Sequence, residues 1–376
     1  MKRVIAWRIL THEKGRSALA ITGIFFAVLM IFLQLGFYSS VPAGGMVVYD
    51  KMRFDLVLAS SAYYFQGQPF AFPRRRLYQA LSLADVVSVA PLYQASAQWF
   101  SAATGLRRDI FVMAFNLRDR VFNVPDIDRQ LDKLDRPDVV LVDRDTRPMF
   151  GPLTEGLHVE IEDREVAIVG SYELGTGFAG LGVVTTSDLN FIRLFPNRAL
   201  NAVNLGLVTL RPGSDAGRVV GQLRTLMPAD TSVFTRDEFA QREVFHWIAA
   251  TSTGLVFGFG AAVSVVVGIV ILYQVLATQI RRHLPEYATL KAIGYQDRYL
   301  SDIVVTVAVL MASIAYVPAV LASLAIYRIV RNLTLLPIAM TVPRLVAVLL
   351  LTVALSVGSA VVSVRGLRRA NPVDLF

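Results

Sequence analysis

Four long apolar runs constrain this chain more than any other feature: residues 18–40, 248–278, 303–327 and 345–364, none holding a charged residue. A helix needs about 20 apolar residues to cross roughly 30 Å of hydrocarbon, and each run reaches that length. Four such runs cannot all be the centre of one small soluble domain, so they predict membrane spans. Composition agrees, with 54% hydrophobic and 18% charged residues against a usual charged share of about 25%. The absence of cysteine excludes disulfides, thiol catalysis and Cys-ligated metal sites. Lys2, Arg3, Arg8, Lys14 and Arg16 precede the first run, as in a signal peptide. The run is longer than a signal core of about 7–15 residues and reads as a retained anchor.

The net charge is +8, and its distribution sets orientation. Residues 1–17 carry +4, residues 279–302 carry +1 and the tail after residue 364 carries +2. These three segments read as cytoplasmic. Against them, Arg328, Arg331 and Arg344 give the short 328–344 segment +3, although it must lie outside; Arg344 is expected at headgroup level. Residues 41–246 hold 22 Lys/Arg and 24 acids, a nearly neutral domain. A nucleic-acid partner is therefore not indicated.

The predicted fold class is an α-helical membrane protein with four transmembrane helices (one plus three) and a large extracytoplasmic α+β domain inserted between helices 1 and 2. The segments are an amphipathic cytoplasmic helix over 1–17, spans over 18–40, 247–278, 303–327 and 345–364, and the outer domain over 41–246. A cytoplasmic loop covers 279–302, a short outer loop 328–344 and a cytoplasmic tail 365–376. Within the outer domain, strands are predicted at 54–59, 86–89, 110–115, 139–142, 166–169, 183–186, 203–210 and 232–234. Helices are predicted at 73–84, opening on Pro73, and at 127–134, 188–194 and 214–226. Two α+β subdomains are expected. Thr235-x-x-Glu238 is a capping box. No Pro or Gly follows it before residue 254, so a continuous stalk helix from 236 into the second span is expected.

Candidate chemistry is sparse. There is no GxxxxGK[ST] for ATP. Gly175, Gly177 and Gly180 form a GxGxxG that leads to Leu181-Gly182-Val183-Val184 rather than a helix, and reads as a loop. His12, His158, His246 and His283 fall in separate segments without ligand spacing. Arg74, Arg75 and Arg76 read as a solvated helix face. The spans offer only Gln34 and Gln274, with Asp302 near an edge, where coupled transporters usually place ionisable groups. Small residues recur at Gly254, Gly258 and Ala262, and at Gly260, Ser264 and Gly268, spacing that suits close helix packing or a dimer seam.

The loop after the second span reads Arg281-Arg282-His283-Leu284-Pro285-Glu286-Tyr287-Ala288-Thr289-Leu290-Lys291-Ala292-Ile293-Gly294. Pro285 and Glu286 suit a helix start, Lys291 its last turn and Gly294 its C′ position, with Asp297 opening the next helix. A short preformed helix there suits docking on a cytoplasmic protein or lying on the membrane surface.

This segment resembles the signature of FtsX-like permeases, the ABC-transporter membrane subunits of the macrolide-exporter and lipoprotein-release (MacB/LolC) type. Arg282, Glu286, Leu290, Lys291, Ala292, Ile293 and Gly294 match; Pro285 departs from the pattern. Residues 6–16 are similar to the family's amphipathic first helix, and Arg369-Ala370-Asn371-Pro372-Val373 to its closing motif. Leu174-Gly175-Thr176-Gly177-Phe178 and residues 185–191 resemble the DevC-type branch.

The resemblance implies a non-catalytic permease in a bacterial inner membrane, with cytoplasmic termini and a periplasmic domain. It implies a second copy of the chain and two copies of a cytoplasmic ABC ATPase, which would hold the ATP and Mg while this chain carries no cofactor. It further implies a periplasmic membrane-fusion adaptor, an outer-membrane channel, and export of a lipid or other hydrophobic substrate by mechanotransmission. Two alternatives stay open: an FtsX-like signalling subunit that regulates an extracytoplasmic partner, and a membrane-anchored receptor or enzyme without an ATPase.

Overall fold

In a computed structural model, the structure describes Thr11 and residues 14–175, 177, 180–282, 293 and 295–368. The chain forms two compact units, one of residues 1–40 with 252–376 and one of residues 41–251. The first is helical and the second is built on a sheet.

The helical unit holds four helices long and apolar enough to cross a membrane. They belong to α1 (Lys14–Asp50), α7 (Ser252–Arg282), α8 (Asp297–Thr334) and α9 (Val342–Arg368). Their buried faces mix bulky and small side chains. Ile24, Val28, Ile31 and Phe32 of α1 share one core with Ala308, Met311, Ala315 and Ala319 of α8. Small residues let helix backbones approach where the surroundings are as apolar as the interface. Buried hydroxyls are satisfied within their own helices: Thr352 and Ser356 donate to Val348 O (2.7 Å) and Thr352 O (2.8 Å). Arg344 donates to Ala339 O at 2.7 Å and to Ser39 Oγ, and lies over the Tyr327 ring.

In the sheet unit the chain after α1 runs β1 (Leu56–Ser60), β2 (Phe72–Pro73), α2 (Arg75–Ala80), β3 (Val86–Ser101), β4 (Leu106–Phe115), α3 (Pro125–Asp128), β5 (Val139–Asp143), β6 (His158–Ile161), β7 (Arg164–Tyr172) and β8 (Val183–Ser187). It continues as α4 (Asp188–Leu194), β9 (Ala202–Val203), β10 (Leu205–Leu210), α5 (Ala216–Leu226), β11 (Thr231–Thr235) and α6 (Arg236–Phe245). Nine strands form one sheet in the order β11-β1-β10-β3-β4-β8-β5-β7-β6, and β2 pairs with β9 separately. Strand β6 also pairs with β3, at Trp99↔Ile161 and Phe100↔Glu160. The six strands from β3 round to β6 thus close into a ring, filled by residues such as Trp99, Ile110, Val140, Ile161 and Val184.

The sheet unit is built on one continuous nine-stranded sheet. Its joint is β3, which pairs with β10 from Val86 to Leu92 and with β4 from Leu92 to Ser101. The sequence predicts only 86–89 of this strand because Pro91 interrupts the pattern. Pro91 is tolerated opposite Gly206, beyond which the strand continues. The single strand expected over 203–210 is two, parted by Asn204, whose buried carboxamide accepts from Gln94 N and donates to Pro69 O, both at 2.7 Å. Pro73 lies in β2 rather than at a helix start. Arg76 is not solvated: its guanidinium is buried and grips Asp230 with two hydrogen bonds, of 3.1 and 2.6 Å.

The sheet buries both faces. Leu77 and Ala80 of α2, with Val219, Val220 and Leu223 of α5, join the ring-side core. On the opposite face lie Met46, Val48 and Tyr49 from the end of α1 together with Phe239 of α6. Helix α1 therefore runs past residue 40, where the first span is expected to end, and its last turns become core.

The expected continuous stalk helix is also corrected. After α6 the chain makes a π-helical turn over His246–Ala250, and Thr251 is extended at φ −105°, ψ 147° before α7 begins. Thr251 Oγ1 donates to Trp247 O at 2.6 Å. In the run Thr251-Ser252-Thr253 each hydroxyl can compete with the helical ladder, and two residues are β-branched.

Candidate functional site

Helix α1 ends with no basic residue in its last turn, so its final carbonyls need donors from elsewhere. One side chain supplies them. Arg236 Nη2 donates to Tyr49 O and Asp50 O, and Nη1 donates to Met52 O and Phe54 O, all at 3.1 Å. The guanidinium lies 4.5 Å from the centre of the Phe54 ring. A fixed fork of donors suits this task where a lysine would not, and the positive charge complements the helix C-terminus.

Arg236 is held in place by the start of α6. Thr235 Oγ1 accepts from Glu238 N at 3.1 Å while Glu238 Oε2 accepts from Thr235 N at 2.9 Å, a complete capping box. Arg236 N donates to Asp55 O. One turn along, Phe239 is fully buried with Tyr49 and Tyr63 rings at 4.9 and 5.4 Å.

The next turn buries Glu243 completely. Its Oε1 accepts from the Tyr63 hydroxyl at 2.6 Å, and that hydroxyl meets the Tyr49 hydroxyl at 2.8 Å. Burial pushes the Glu243 carboxyl up to about 7, outweighing the Tyr63 hydroxyl, the Gln66 backbone, the Trp247 indole and the Arg242 guanidinium, which favour the charge. Burial likewise pushes the Tyr63 hydroxyl well above its ordinary value. His246 follows, stacked at 4.0 Å on Phe65, and burial holds its imidazole below the usual value.

Two glycines of α1 admit these neighbours. A Cβ on Gly45 would collide with the Trp247 indole, and one on Gly177 would collide with Gly44 O. Gly177 and Gly175 take φ +52° and +94°, where glycine is favoured. They belong to the GxGxxG, whose described residues form a loop against α1; Asp143 Oδ2, on a carboxyl pushed up to about 6 by burial, accepts from Gly175 N at 2.8 Å. Tyr49, Tyr63, Arg236 and Glu243 thus tie the end of α1 to α6 inside the sheet unit. The link is made of hydrogen bonds and packed rings.

The residues singled out in the sequence lie elsewhere. Arg282 is exposed at the end of α7 and Ile293 is exposed in a turn. Glu286, Leu290, Lys291, Ala292 and Gly294 lie outside the described residues. In α7, Gly254 and Gly268 are buried, and Ser264 is buried with its hydroxyl donating to Ala261 O at 2.8 Å. A Cβ on Gly258 would come within 3.3 Å of Tyr38, on Gly260 within 2.7 Å of Gln34 Oε1 and on Gly268 within 3.1 Å of Ile31. These three glycines turn toward α1 of the same chain. Among the described residues no group of three or more His, Asp or Glu side chains could hold a metal ion.

Arg236, Glu243, Tyr63 and Gly45 escape sequence reasoning. The capping box locates the start of α6, but Arg236's partners are backbone carbonyls, which have no letter in a sequence. The one usable signal is an α1 C-terminus without a basic residue.

Compared with known proteins, residues 258–372 match the FtsX-like permease C-terminal family. Among solved structures the chain is similar to the periplasmic region of MacB from Actinobacillus actinomycetemcomitans, at 10% identity and TM-score 0.35, covering 50% of this chain and 90% of that one. It is also similar to the extracellular domain of the noncanonic ABC-type transporter YknZ from Gram-positive bacteria, at 13% identity and TM-score 0.32, covering 48% and 99%. No curated protein matches the chain.

Proposed function

We propose that the chain is the membrane subunit of an ABC transporter that works by mechanotransmission, because residues 258–372 match the FtsX-like permease C-terminal family. The family match is the observation that carries this reading. FtsX-like permeases partner an ABC ATPase. In this chain Arg282, Glu286, Leu290, Lys291, Ala292, Ile293 and Gly294 form the surface on which two ATPase copies dock, holding ATP and Mg. A second copy of the chain completes the membrane part, while Gly258, Gly260 and Gly268 pack α7 closely against α1 within each copy.

ATP-driven movement of the spans then acts on the sheet unit through α1 and α6. Arg236, bonded to four carbonyls at and beyond the end of α1, is what lets both helices move the sheet unit together. The cargo is a lipid or other hydrophobic molecule taken outside the cytoplasm and passed to a periplasmic adaptor and an outer-membrane channel. The spans' lack of charge supports a route that avoids a polar membrane pore.

The test is affinity purification of the chain from native membranes. An ABC ATPase is expected to co-elute, and Glu286→Lys is expected to lower its yield while the permease stays folded. Undiminished ATPase with the variant would remove Glu286 from the docking surface; no ATPase with the unmodified chain would end the permease reading.

A further inference from the structure

We infer that Glu243 is a proton-controlled latch, which holds the end of α1 against α6 when protonated and releases it when ionised. The geometry carries this. Glu243 is a fully buried acid on the one face of α6 that meets α1 and the 61–67 loop. From the loop it faces Tyr63, whose hydroxyl reaches Oε1 at 2.6 Å, and Gln66 through its backbone; from α1 it faces Tyr49, behind Tyr63 at 2.8 Å. From the π turn it faces the Trp247 indole, and on its own helix Arg242, whose guanidinium is turned to Tyr63 O at 2.8 Å. No partner in this set neutralises the carboxylate by direct ion pairing.

Burying an unpaired charge is costly, and the carboxyl keeps its proton instead. A protonated Glu243 can also donate along the same contact with Tyr63. Two more buried groups favour opening to water once the charge appears. Both amide atoms of Gln66 and Nδ1 of His246 lack a hydrogen-bond partner among the described residues. The device uses no group of the docking surface. Its consequence for transport rests on the permease reading, but its existence does not.

The sign follows from linkage. The closed junction raises the carboxyl from about 4.5 to about 7. Opening therefore releases a proton between those values, and the opening constant rises about tenfold per pH unit there, levelling off above about pH 7. Below about 4.5 both states are protonated and the latch is fully engaged.

The experiment is hydrogen exchange on the full-length chain in lipid nanodiscs, reading amides of 41–50 and 236–251 with intrinsic exchange rates corrected. Protection is expected to fall about tenfold per unit between about pH 5 and 7 in the unmodified chain, and to stay flat in Glu243→Gln. Tyr63→Phe removes a hydrogen bond to the charged form and is expected to move the midpoint to higher pH; it carries the test alone should Glu243→Gln fail to fold. A flat profile in the unmodified chain, a slope that survives Glu243→Gln, or an unmoved midpoint in Tyr63→Phe overturns the proposal. None of these results bears on whether an ATPase co-purifies.

Discussion

The chain passes between its two units twice, and the two passages behave oppositely to their local composition. The first, within α1, reads Pro42-Ala43-Gly44-Gly45, in which Pro42, Gly44 and Gly45 are poor helix formers that together cost several kcal/mol. It stays helical to Asp50. The second reads Trp247-Ile248-Ala249-Ala250-Thr251, with no Pro or Gly, and the helix breaks there. The difference lies in what surrounds each. Met46, Val48 and Tyr49 are core residues, and Arg236 takes the last carbonyls of α1. Ala249, Ala250, Ser252 and Thr253 are exposed. Tertiary burial and capping decide helix continuity where propensity alone points the other way.

The largest way to break this contrast is Arg236→Ala. Four hydrogen bonds from a charged donor disappear while the helix carbonyls lose their cap, an expected cost of about 3 kcal/mol. Hydrogen-exchange protection of residues 41–50 in the full chain should fall by about two orders of magnitude. Arg236→Lys should recover only part of it, since one ammonium cannot reach four carbonyls. Protection unchanged in both would mean that packing alone holds α1 to residue 50.

A smaller effect is expected of Gly45→Val. The added side chain meets the Trp247 indole, and overpacking of this kind typically costs about 1–3 kcal/mol. Trp247 fluorescence should shift to the red as the ring is displaced toward water. An unshifted spectrum would show that the indole does not depend on Gly45.

These contrasts also mark what could be read in advance. Four apolar runs announce four helices because length and uncharged composition need no tertiary knowledge. The capping box at Thr235 is equally local, and the structure forms it. The rest depends on partners distant in sequence. Strand β3 is hidden by Pro91 until Gly206 is seen beside it. Strand β6, His-Val-Glu-Ile, is too short and polar to stand out. The grip on α1 joins Tyr49 to residues 63, 236 and 243, and no local pattern links them. The break at Thr251 had a visible sign, the Thr-Ser-Thr run, but a sign outweighed by the absence of Pro and Gly.

The smallest expected effect sharpens the contrast most. If the second passage breaks because Thr251, Ser252 and Thr253 are indifferent helix formers, none of them buried, replacing all three by Ala should mend it. Each exchange favours the helix by about 0.5 kcal/mol, so together they should raise protection of amides 251–254 about tenfold. It also removes the Thr251 hydroxyl from Trp247 O, a bond that stabilises the turn as it stands. Protection that rises would make the break a matter of local chemistry, and a variant with a mended helix would show whether transmission from the spans needs the joint. Protection that stays low would place the cause in the π turn upstream, where His246 is held on Phe65 and the helix has already widened before Thr251 is reached.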